Sequence, residues 1–154
     1  MKLITLLFAT LLAVQGPDIG GTWKMIAARS GSPTQTPAVN EMTLSIVTGA
    51  DEVRLKWLLG ADPAEVVYPI VAAPKQPADP LPAGAARAYW QGNTLVLERG
   101  GTISGQTVSM KQSLTLDPTT NELTLQRLVI VQHGYTLKDT PNHASVTDVF
   151  ARAQ

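Results

Sequence analysis

Gln106-Thr-Val-Ser-Met-Lys-Gln-Ser-Leu-Thr-Leu, then Asp117-Pro-Thr-Thr-Asn, then Glu122-Leu-Thr-Leu-Gln-Arg-Leu-Val-Ile-Val is a single run of 26 residues, 106–131. Apolar and polar residues alternate on both sides of its centre, the period of a half-buried β-strand. The centre itself holds Asp, Pro and Asn, residues that turn a chain back on itself. Pairing Leu116 with Leu123 brings Leu114 to Leu125, Met110 to Val129 and Val108 to Val131. A slip of one residue would send this whole set to the opposite face, so the register is strongly specified. One polar pair, Gln112 opposite Arg127, interrupts the apolar face. On the reverse face Leu128 and Ile130 fall beside Lys111 and Ser109.

The same logic extends outward along the chain. With Gly92-Asn93 as a two-residue turn, Trp90 meets Leu95 and Ala88 meets Leu97. The other face then gathers Gln91 with Thr94, Tyr89 with Val96, and Arg87 with Glu98, an opposite-charge pair. With Gly49-Ala50 as the turn, Ile46 meets Val53, Leu44 meets Leu55 and Met42 meets Trp57, while Ser45 and Thr43 oppose Arg54 and Lys56. Glycine at both turns is expected to supply the positive φ of tight hairpins. Strands are expected over 21–28, 42–48, 52–59, 65–71, 85–91, 94–99, 106–116, 122–132 and 145–152. The fold class is therefore all-β: an antiparallel up-and-down meander of 8–10 strands, closed into a barrel because closure removes exposed edges. The irregular stretch is 69–84, with prolines at 69, 74, 77, 80 and 82. Proline removes ladder donors, so this is a stiff extended loop.

The chain has 154 residues and suits one domain. Twelve basic and twelve acidic side chains leave no net charge. That balance, with no basic run, argues against a nucleic-acid partner and against a polybasic membrane patch. Cysteine is absent, which removes disulfides, thiolate nucleophiles and Cys-based metal sites. At the N-terminus Lys2 precedes an uncharged apolar run over 3–14. Twelve residues are too few to span a bilayer as a helix and suit a signal peptide. Residues 1–16 are read as that leader, with cleavage near Gln15-Gly16, and 17–154 as the mature domain, periplasmic or secreted. An uncleaved anchor or a buried first strand are the alternatives. No later apolar run is long enough for a membrane span.

Gly21-Thr22-Trp23, on the first mature strand, resembles the Gly-x-Trp opening of lipocalins and related calycin barrels. Trp90 to Leu95, Leu114 to Asp117, Leu123 to Leu125 and Val149 to Arg152 are similar to segments of small exported bacterial proteins described as lipocalin-like. The resemblance implies a lipocalin-like barrel whose bottom is closed by Trp23, with Arg152 packed over the indole, and carriage of a small apolar ligand.

Elsewhere the residues offer little chemistry. His133 and His143, with Asp139 and Asp148, give no shared strand face and fall short of a zinc site, which needs three or four ligands in defined geometry. No nucleophile elbow or phosphate-binding glycine loop is present. No cofactor or metal is expected, and an enzyme at the barrel mouth is the function class supported least. Gln112 with Arg127 is the sharpest feature. In one reading it meets the polar head of a ligand whose body lies against Met110, Val129, Leu97 and Trp57. The alternatives are a structural hydrogen-bonded pair, or a bulge near Arg127 that turns it to solvent and brings Leu128 and Ile130 inside. Two function classes follow: a binding protein for a small apolar ligand, or an interaction or inhibitor module for an envelope protein partner, using the proline-rich loop and outward Leu128 and Ile130. An open interior of several hundred Å³ would favour the first; a filled core would favour the second.

Overall fold

The computed structural model describes residues 16–59, 62–75, 81–103, 105–131 and 143–154. Residues 1–15 of the expected leader, His133 and Asp139 lie outside the described residues. Nine strands form one sheet: β1 (Gly21–Met25), β2 (Met42–Thr48), β3 (Glu52–Leu59), β4 (Asp62–Pro69), β5 (Ala86–Gln91), β6 (Thr94–Ile103), β7 (Gln106–Asp117), β8 (Glu122–Val131) and β9 (His143–Arg152). Their order is β4-β3-β2-β1-β9-β8-β7-β6-β5, every neighbouring pair antiparallel. The terminal strands β4 and β5 run in the same direction and meet at a single parallel bridge, Ile70 to Ala88, where Val71 N–H donates to the Ala88 carbonyl at 2.8 Å. The result is the expected meander, curled into a nearly closed barrel.

Two of the three hairpins have the expected register. The β5–β6 pairs run from Arg87 opposite Glu98 to Gln91 opposite Thr94. Gly92 takes φ +59 at the turn, a conformation glycine adopts without steric cost. The β7–β8 ladder is unbroken from Val108 opposite Val131 to Asp117 opposite Glu122. No bulge interrupts it at Arg127, so that alternative falls and Leu128 and Ile130 stay outside.

The β2–β3 hairpin differs. Ile46 pairs with Leu55, Leu44 with Trp57 and Met42 with Leu59, two residues from the expected alignment. Gly49 N–H donates to the Glu52 carbonyl at 2.8 Å, which centres the turn on Ala50-Asp51. Gly49 accordingly has no positive φ, contrary to expectation. A shift of two preserves both faces, which is why alternation alone could not detect it.

The first strand ends at Met25, short of the expected 28, because the chain folds into a 3-10 turn at Ala27–Arg29 and a second at Ser32–Thr34. This segment crosses one end of the barrel alongside β9, tied by Ile26 N–H to the Val149 carbonyl and Gly31 N–H to the Thr147 carbonyl at 2.7 and 2.8 Å. Prolines 63 and 69 both lie on β4, an edge strand that tolerates missing donors. The far end of the proline-rich stretch packs back on the wall. Gly84 N–H donates to the Gly100 carbonyl, and a Cβ at Gly100 would lie 2.2 Å from the Pro82 carbonyl oxygen. Only glycine permits that approach.

The core fills the end of the barrel where β1 begins. Ile19, Trp23, Leu95, Leu114, Leu123 and Phe150 are all fully buried there. The Trp23 indole N–H donates to the Ile19 carbonyl at 3.0 Å. Arg152 lies 4.2 Å above the Trp23 ring centroid, and its guanidinium donates to the Gly20 and Asp18 carbonyls. The pairing implied by the lipocalin resemblance is therefore present. Such a stack contributes about 0.5–2 kcal/mol, depending on desolvation.

Candidate functional site

Inward residues of β7 and β8 divide into two halves. Leu114, Leu123 and Leu125 are sealed, whereas Met110, Gln112, Arg127 and Val129, further along the same face, are only half-buried. Val108, the next residue of that face beyond Met110, is again fully buried, so the half-buried residues form a band on the side of the barrel away from Trp23. A cavity of about 160 Å³ opens there, and Trp57, Met110, Gln112 and Arg127 all line it, together with Leu59 and Arg99. The four residues singled out from sequence are thus brought round one space. Leu97, opposite Gln112 in register, is not among the lining residues and is fully buried. The volume is smaller than the several hundred Å³ expected for an open interior, because the lower half of the barrel is filled by the core.

Gln112 does sit opposite Arg127 in register, but the guanidinium turns elsewhere. Arg127 Nη2 donates to Asp148 Oδ2 at 2.7 Å and also to the Ser32 hydroxyl. The Ser32 backbone N–H donates to Asp148 Oδ1 at 2.8 Å, and its hydroxyl to Oδ2 at 2.6 Å. Asp148 is fully buried and Ser32 nearly so. Each has its reason to be there. Alternation along β9 puts Asp148 on the face of Phe150, and the second 3-10 turn carries Ser32 across the barrel end to meet it. A buried carboxylate needs donors, and this one has three. The Arg127 charge is met by Asp148 inside the protein, so the expected hydrogen-bonded pair of Arg127 with Gln112 is not formed.

Arg99 was not distinguished by the sequence reading, although it follows Leu95 and Leu97 on the inward face of β6. Its guanidinium carbon lies 5.8 Å from the Trp57 ring centroid. Its Nε is buried with no hydrogen-bond partner. Tyr68, almost fully buried on β4, feels the same charge: burial raises the phenol pKa, and Arg99 opposes that rise. On the outer wall, Arg87 and Tyr89 both donate to Glu98, at 2.7 and 3.0 Å. The Tyr89 pKa is pushed up to about 12, chiefly by burial and then by that carboxylate.

Among the described residues no three His, Asp or Glu side chains are grouped to hold a metal ion, and no helix is long and apolar enough to cross a membrane. His143, at the start of β9, is exposed on the outer wall.

No family model matches the sequence, and no curated protein matches it. Solved structures do match. The wild-type fluorescent protein UnaG superposes with a TM-score of 0.51 at 15% identity, over 88% of this chain and 97% of that one. A single-site mutant of UnaG gives 0.48 at 16% identity, over 88% and 96%. At 15% identity the likeness to the wild-type protein shows the fold alone, a nearly closed antiparallel β-barrel.

Proposed function

We propose that the chain is an exported, non-enzymatic binding protein that holds a small, largely apolar molecule inside its barrel. The observation that carries this reading is the division of the inner wall. One half is a sealed core; the other presents Trp57, Leu59, Met110 and Val129 to a solvent-reached cavity with a few convergent polar groups. Binding sites for small molecules have that composition. Export is supported by the short apolar run after Lys2.

A second reading, an interaction module for an envelope protein, draws on the outward side of β8. The continuous ladder leaves Leu128 and Ile130 neighbours on the outer wall, Ile130 being 37% exposed. Native mass spectrometry of the protein purified from its own host separates the two. A chain mass shortened by the leader, carrying a small adduct that is lost on denaturation, is the expected result. A full-length mass, or a second polypeptide in place of the adduct, would overturn it.

A further inference from the structure

Six arginines occur in this sequence, and five have their charge answered by the protein. Arg29 pairs with Glu122, Arg54 with Glu52, Arg87 with Glu98 and Arg127 with Asp148. Arg152 is spent on Trp23 and on two backbone carbonyls. Arg99 is the exception. It lines the cavity, has no carboxylate partner among the described residues, and lies over the face of Trp57 at 5.8 Å from the ring centroid. Its Nε is buried without an acceptor, as is that of Arg127, but Arg127 has a carboxylate on Nη2 and Arg99 has none among the described residues.

We infer that the cavity takes a small organic monoanion, with its carboxylate or equivalent head on Arg99 and an apolar body no larger than about one ring. This rests on the carrier reading and specifies its ligand.

Charge sets the head group. Among the described residues the guanidiniums of Arg99 and Arg127 line the cavity, and Asp148 already neutralises Arg127, which leaves the charge of Arg99. Lys111, which also borders the cavity, belongs to the outward set of β7, opposite Glu98. An unanswered cation in a partly dry site is costly, and a single anion removes that cost. With its guanidinium carbon 5.8 Å over the Trp57 ring, Arg99 keeps donors that suit a planar, two-oxygen acceptor. Volume sets the body. A closed cavity of roughly 150 Å³ holds benzene, and this one is about 160 Å³. Trp57, Leu59, Met110 and Val129 supply its apolar walls.

The test uses three probes of one shape and different charge: benzoate, benzyl alcohol and benzylamine, titrated calorimetrically against the mature chain. Benzoate is expected to bind at least tenfold more tightly than benzyl alcohol, and benzylamine more weakly than both. In Arg99→Gln the ratio of benzoate to benzyl alcohol affinity should fall to about one; Arg99→Lys, which retains the charge, should retain part of the preference. Equal binding of benzoate and benzyl alcohol would overturn the anion site and leave the carrier reading standing. A benzoate preference that survives in Arg99→Gln would overturn the role of Arg99. Failure of all three probes would overturn both.

Discussion

Replacing Asp148 with alanine tests the strongest single claim about the interior. The carboxylate is fully buried and accepts from three donors: Ser32 N–H, the Ser32 hydroxyl and Arg127 Nη2. Its removal leaves the Arg127 charge, in a side chain 29% exposed, without its partner. Breaking a buried pair from one side costs about 3–5 kcal/mol, a large part of the 5–15 kcal/mol typical of whole domains. With a urea dependence near 2 kcal/mol per molar, that lowers the denaturation midpoint by roughly 1.5–2.5 M. Combining Asp148→Leu with Arg127→Met removes both charges and should recover part of the loss. About 1–3 kcal/mol should persist, because Ser32 N–H still lacks its acceptor. The measurement is equilibrium urea unfolding followed by tryptophan fluorescence and by circular dichroism together. A single variant within 1 kcal/mol of the parent, or a double variant less stable than the single one, would refute the assignment of Asp148 as counter-ion and anchor.

Tyr89 gives a pH signature on the outer wall. Its pKa is raised from 10.0 to about 12, so the folded state favours the protonated phenol. The corresponding stability, about 2–3 kcal/mol, is complete below pH 10 and is lost as pH rises through 12. Tyr89→Phe should flatten the alkaline fall in urea midpoint, leaving a residual slope from Tyr68; an unchanged slope would contradict the assignment. Arg152→Met removes the stack on Trp23 together with the bonds to Gly20 and Asp18, and should destabilise the chain by about 1–3 kcal/mol. Red-shifted Trp23 emission in the native state should accompany it, and an unaltered spectrum would mean that the floor stays closed without the guanidinium.

The wall of this barrel was legible in the sequence because period-two alternation carries its own check. At Gly92-Asn93 and at 117–121 the turn residues and the apolar face agree on one register, and that register is observed. At 49–52 the faces were right while the alignment was off by two, since alternation is blind to even shifts. Trp57, Met110, Gln112 and Arg127 were found because they interrupt or continue an inward stripe. Arg99 and Asp148 lie on such stripes too, in phase with Leu97 and Phe150, so the signal for them was present. Arg99 stood at the expected end of its strand, where phase is easily ignored, and Asp148 had been grouped with the histidines. Ser32 had no comparable signal. Its position depends on the path of two 3-10 turns across the barrel end, which no local period encodes. The cavity size was likewise illegible, because it depends on how far the core fills the interior.

The meeting of β4 and β5 is a matter of parity. A ring of strands with alternating directions closes without a flaw only if their number is even, and nine is odd. Hairpins are gained or lost two strands at a time, so no such event repairs this ring; only a lone strand would. For the same reason β4 and β5 are parallel neighbours, and parallel strands cannot be joined by a two-residue hairpin. A tight turn therefore cannot replace that connection, whatever its sequence becomes.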